Sequence, residues 1–156
     1  MARLRLIPPS EADLRHIARH LRAGDMRELQ ATRGDDFDVV ACLLASVAGS
    51  EVAHVAVTPY GEPIAVFGLA PISLLGGQGC PWMLGTETLN LYGRDVVLMG
   101  KHFARQWGQR YDTLFNYVDA RNLRAVAWLR HSGYTLFKAE PRGVQGEPFH
   151  RFERCA

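Results

Sequence analysis

Between Thr113 and Tyr134 the chain reads TLFNYVDARNLRAVAWLRHSGY, a stretch that leaves few folding options open. Leu114 to Val118 is apolar and aromatic enough for a buried strand. Asp119 and Asn122 are helix-start residues, because each short polar side chain can accept from the free N–H groups of a first turn. Leu123, Ala125, Val126, Ala127, Trp128 and Leu129 then spread apolar groups over more than half a helix circumference. A helix so apolar must pack against the body of the domain. Gly133 follows where a left-handed closing residue is needed, and Tyr134 restarts the extended chain.

The preceding residues supply the rest of a sheet and its cover. Arg3 to Ile7 alternates as a first strand, and Pro8-Pro9 ends it. Ser10 caps a helix with Leu14, Ile17, Ala18 and Leu21 on one stripe, and Gly24 is expected to stop it. Asp25 with Glu28 three residues on has the spacing of a capping box and predicts a second helix. A further helix start is expected at Asp35 or Asp36, with Phe37, Val40, Leu44 and Val47 on one face. Val52 to Val57 and Ile64 to Leu69 flank the turn Thr58-Pro-Tyr-Gly and predict an antiparallel hairpin. Pro71 to Gly79 reads as a flexible loop and Pro81 to Gly85 as a short strand. The helix after Gly93 places Val96, Met99, Phe103 and Trp107 on one side, and Phe149 to Phe152 predicts a last edge strand. The order β-α-α-β-β-β-α-β-α-β implies an α/β (α+β) fold, a mixed sheet covered by helices, in a single domain over residues 1–156.

Composition narrows the function classes. Of 156 residues, 47% are hydrophobic and 22% charged, the balance of an ordinary globular chain. No apolar run is long enough to span a bilayer, and MARLRLIPPS has no signal-peptide core, so a non-secreted protein is expected. Cys42, Cys80 and Cys155 are odd in number and far apart, which favours reduced thiols over a disulfide framework. A net charge of +2 does not predict the concentrated basic face of a nucleic-acid binder. His16 and His20 stand at i, i+4, but no third ligand is evident and arginines surround them, so no metal site is expected. The glycines at 76–79 lack the Lys and Ser/Thr of a P-loop, and there is no G-x-S-x-G.

Asn122, Ala125, Gly133 and Tyr134 also form the pattern N-x-x-A-x(7)-G-[FY]. This resembles the last motif of the GNAT N-acetyltransferase superfamily, whose fold holds acetyl-CoA in a cleft between two splayed strands. With LRAGDMREL, GEPIAVFGLAP, PWMLGT and YVDARNLRAVAWLRHSGY in order, the chain is most similar to the phage proteins grouped with podovirus internal virion protein A. That likeness implies a phage or prophage protein of the host cytoplasm or virion. Its implied partners are other phage structural proteins, and its implied role lies in particle assembly or genome ejection.

The resemblance also assigns candidate site residues. Asn90, Gly93 and Arg94 stand where GNAT enzymes carry Q/R-x-x-G-x-G/A to cradle the CoA pyrophosphate, but only Gly93 matches. Asp95 replaces Gly or Ala, and a carboxylate in the first helical turn would repel a pyrophosphate. A capped helix start accounts for these residues without a ligand, and is the favoured reading. Asn122 is either a pantetheine contact or a plain helix cap, with the cap favoured. Leu129 stands seven residues after Asn122, where active enzymes carry a tyrosine that protonates the CoA thiolate, and leucine has no proton to give. A base would have to be Glu87 or His54. The cofactor implied is acetyl-CoA, bound weakly or not at all in a degenerate active site. An active acetyl-CoA-dependent N-acetyltransferase using Glu87 is the alternative.

Overall fold

The computed structural model describes residues 3–73 and 75–155. One sheet runs through the molecule. Its strands are β1 (Arg5–Ile7), β2 (Val52–Val57), β3 (Pro63–Ser73), β4 (Gln78–Gly85), β5 (Thr113–Asp119), β6 (Thr135–Leu136), β7 (Glu140–Pro141) and β8 (Pro148–Cys155). The spatial order is β1-β2-β3-β4-β5-β8-β6, with β7 also on β8. Among the described residues every pairing is antiparallel except β4 with β5. The helices are α1 (Glu11–Arg19), α2 (Ala23–Arg33), α3 (Val39–Ala48), α4 (Gly93–Gly108) and α5 (Leu123–His131), with a 3-10 turn at Glu87–Tyr92.

The mixed α/β class is as expected, with the five helices that the chain's patterning predicts, though the condensed order holds four, and with two short strands more. Strand alternation separates two cores. Val55, Val57, Val66 and Leu84 meet Leu14, Ile17 and Leu43 of α1 and α3. Phe67, Leu69, Leu114 and Val118 meet Ala104 and Trp107 of α4 and Val126 of α5.

Several boundaries differ from expectation. α1 ends at His20 rather than Gly24, and Gly24 lies in the first turn of α2. Asp25 is therefore inside α2 and does not cap it; the cap position is Arg22. Leu21 leaves the α1 stripe and bridges Thr86. α3 starts after Asp38, whose carboxylate accepts from Val40 N–H at 2.9 Å, not at Asp35 or Asp36. Its packed face is Val39, Leu43 and Val47 with Cys42, while Leu44 is exposed. The expected loop at 71–79 is mostly strand, since Pro71 pairs with Gly79 and Ser73 with Gln78. The 148–155 strand is interior, because β6 and β7 pair outside it. Gly133 takes φ +101°, the left-handed closure that the sequence requires.

Candidate ligand site between two diverging strands

β4 and β5 pair only at Gln78↔Thr113 and Gly79↔Leu114, after which the strands separate. Backbone groups along the opened edges then need other partners. Asn116 Nδ2 reaches across and donates to Pro81 O at 3.0 Å. Further along, Gly85 N–H donates to Asp25 Oδ2 at 2.9 Å, and Asp119 N–H donates to Glu28 Oε1 at 2.7 Å. Two carboxylates one helical turn apart on α2 thus take the amides at the far ends of both strands. α2 spans the far ends of the two strands.

Asp25 is the hub of this closure. Arg22 donates to it through Nη2 at 2.7 Å and Nε at 3.2 Å, and both side chains are about 5% exposed. Asn122 Nδ2 donates to Asp25 Oδ1 at 3.0 Å. Arg22 also donates to Asn90 Oδ1 at 3.0 Å and lies 4.6 Å over the Trp128 ring. A buried ion pair stands only when its remaining polar atoms are satisfied, and here Gly85, Asn90 and Asn122 satisfy them.

Between the strands lies a cavity of about 710 Å³. Trp82, Tyr117, Arg142, the cap residue Arg22 and the α2 residues Asp25, Glu28 and Leu29 line it, as do Met99, Phe103, Leu129 and Tyr134. Burial pushes the Glu28 carboxyl up to about 8; the Asp119 N–H bond and Arg22 oppose this, while Asp25 and Asp119 add to it. Burial likewise holds the Tyr134 hydroxyl well above the ordinary phenol range. Burial disfavours the Asp119 charge as well, but hydrogen bonds from Arg121 outweigh it and keep that carboxyl below its usual value.

Solved structures share this architecture. The spermidine N-acetyltransferase of Vibrio cholerae in complex with CoA and spermine is similar over 98% of this chain and 95% of its own, with TM-score 0.74 and 13% identity. The phosphinothricin acetyltransferase of Sinorhizobium meliloti in complex with AcCoA gives 0.71 and 14% over 98% of this chain and 88% of that one. A GCN5-related N-acetyltransferase from Kribbella flavida gives 0.69 and 15% over 99% and 98%. The chain has the GNAT acetyltransferase fold. Comparison with family models and with curated proteins finds no match.

Within this GNAT fold the candidate residues are dispersed. Glu87 is exposed and off the cavity wall; its Oε1 accepts from Ala23 N–H at 2.8 Å and so caps α2, and its Oε2 accepts from Asn90 Nδ2 at 3.1 Å. His54 is also off the wall, its ring between Phe67 and Phe103 at 5.4 and 5.3 Å, where burial lowers its pKa. Gly93 opens α4, and a Cβ there would meet Trp128 Nε1 at 3.3 Å. Arg94 is exposed beside it. Asn122 holds the cap position of α5, but its side chain makes no capping bond and serves Asp25 instead. The cap reading of that side chain is therefore corrected. Asp95, expected to face an approaching anion, is buried and accepts from Arg3 N–H at 3.0 Å. The His16 and His20 rings lie 4.6 Å apart, tilted by 46°, and among the described residues no three His, Cys, Asp or Glu side chains gather as for a metal ion.

Arg22, Asp25, Glu28, Tyr134 and Arg142 escaped the sequence reading as site residues. The first three carry a usable signal, since spacing of three places them on one helix face. No helix of the described residues is long and apolar enough to cross a membrane.

Proposed function

We propose that this chain is a phage or prophage GNAT-fold protein, one domain over residues 1–156, whose acetyl-CoA track is closed by its own side chains. It acts in virion assembly or genome ejection, as a module docking with other phage structural proteins in the host cytoplasm or virion. The observation that carries the reading is the Arg22–Asp25–Asn122 network at the open ends of β4 and β5. In this fold a thioester cofactor enters between those strands, and here the Gly85 amide is already taken by Asp25. The α4–α5 seam supports the same reading. Trp128 Nε1 lies 3.3 Å from where a Cβ on Gly93 would stand, and a Cβ on Gly100 would collide with Ser132 Oγ, so α4 and α5 approach closely where they line the cavity.

Titration calorimetry and thermal melts with acetyl-CoA test the closed track. The expected result is no heat and no stabilisation at millimolar ligand, since a ligand selective for the folded state must raise its stability. Submicromolar binding overturns the reading. For the assembly role, mass spectrometry of purified particles is expected to find the chain in virions, and its absence from them rejects that role.

A second reading, an active N-acetyltransferase acting on an amine, is favoured by one observation. Glu28 lies on the cavity wall with a carboxyl poised near neutral pH, as a general base should be. Tyr134, which lines the same cavity from the α4–α5 side, keeps its proton and could serve as the acid that Leu129 cannot. Turnover of acetyl-CoA with any amine, lost in E28Q, would establish this reading in place of the first.

A further inference from the structure

The cavity has a second wall that the acetyl-CoA track does not use. Leu114 and Val118 belong to the core under α4 and α5, so by alternation Phe115 and Tyr117 face the opposite side of the sheet, where α2 lies. Trp82 faces that side too, packed with the α1–α3 core and donating through Nε1 to Ser50 Oγ at 2.7 Å. Arg142 covers the Tyr117 ring at 3.4 Å and lines the cavity.

The charges on this wall do not cancel. Arg22 is matched by Asp25. Glu140, the acid nearest Arg142 in the chain, is exposed and forms no ion pair with it, and Glu147 accepts from Gln145 N–H with its carboxylate. Arg151 on the neighbouring strand is matched by Glu153 at 3.1 Å. Among the described residues no carboxylate lies within ion-pair reach of Arg142. Stacking occupies the face of its guanidinium but leaves the in-plane N–H donors free, the fork that matches a carboxylate.

We propose that this wall is a binding site for a small organic acid, its carboxylate held by Arg142 and its apolar body lying against Trp82 and Leu29. The cavity that this wall bounds, about 710 Å³ in all, has room for such a ligand. Glu28 sets the pH range of binding. Asp25 and Arg22 from its own helix and Asp119 from β5 surround it, and its carboxyl, at about 8, is protonated at neutral pH. It then adds no negative charge to compete with the ligand. Above that pH it ionises and opposes the carboxylate. The proposal is independent of the closed acetyl-CoA track, which is tested by acetyl-CoA titration alone.

Hexanoate and hexylamine, a charge-reversed pair of nearly equal shape, make the test by calorimetry on the intact chain. Hexanoate is expected to bind at pH 7 and hexylamine not. R142Q, an exposed change that leaves the core untouched, should weaken hexanoate about tenfold or more, as loss of a charge-assisted bond requires. E28Q should remove the loss of affinity that the wild type shows above about pH 8. Preference for hexylamine, an unchanged affinity in R142Q, or no binding of either at millimolar concentration overturns the proposal.

Discussion

The two edges of β4 meet the same requirement by different means. Toward β3 the strand is paired from Gln78 to Gly85, backbone to backbone. Toward β5 the pairing stops after Gly79, and side chains from elsewhere take over: Asn116 on Pro81 O and Asp25 on Gly85 N–H. A ladder bond joins groups that any sequence carries, so the first edge tolerates substitution wherever packing allows. The second depends on the identity of a few polar residues, each buried or half-buried with its own solvation cost. Opening a sheet therefore converts a generic requirement into a specific one, and the polar network is the consequence.

Removing Asp25 should break this contrast most severely. D25A leaves the Arg22 charge buried without its partner and withdraws the acceptor from Gly85 N–H and Asn122 Nδ2. The expected loss is about 3–5 kcal/mol, measured by urea unfolding. A loss below about 1 kcal/mol, the range of an exposed ion pair, would mean that water replaces the network freely and that the open edge is not sealed.

Glu28 gives the next largest effect, and its sign is unusual for a carboxylate. Its folded value of about 8 lies above the ordinary 4.5, so the folded state holds one proton more than the unfolded chain between those limits. Its contribution is thus full below 4.5 and is lost as pH rises toward 8. The slope is at most about 1.4 kcal/mol per pH unit. E28Q keeps an oxygen for the Asp119 amide and should flatten this slope. Urea midpoints taken across the window check it, and an E28Q curve parallel to the wild type would show that Glu28 is ionised in the fold.

The contrast also explains what the sequence could disclose. The β2–β3 hairpin, β5 and the Gly133 closure follow from period and turn chemistry, which are local. β6 and β7 are two residues each, too short to show a period, and that is why β8 read as an edge. Asp25 and Glu28 failed for a deeper reason. An acid followed three residues later by Glu marks a capping box and equally places two carboxylates on one face inside a helix. Only the partners decide between these, and Asp119 lies 91 positions from Glu28. Gly24 misled in the same way. It is small because a Cβ there would meet Asn122 Oδ1 at 2.8 Å, not because a helix ends. Leu129 and the departures at Asn90 and Asp95 were legible, but where Asp95 points was not, since its partner is the backbone of Arg3.

The smallest effect isolates the open edge itself. Asn116 donates to Pro81 O and accepts from Tyr117 N–H at 2.8 Å, and both contacts are half-buried. N116A should cost about 1–2 kcal/mol, because it leaves a carbonyl and an amide short of partners without opening a large cavity. The urea midpoint should fall while the slope of the transition stays fixed, since the surface exposed on unfolding is nearly the same. A partner ladder on the β3 side would have absorbed an alanine at this cost only through lost packing. If N116A is as stable as the wild type, water bonds the Pro81 carbonyl as well as the amide did. The gap would then be wet along its length, and the polar seal would be confined to Asp25 and Glu28 at its far end.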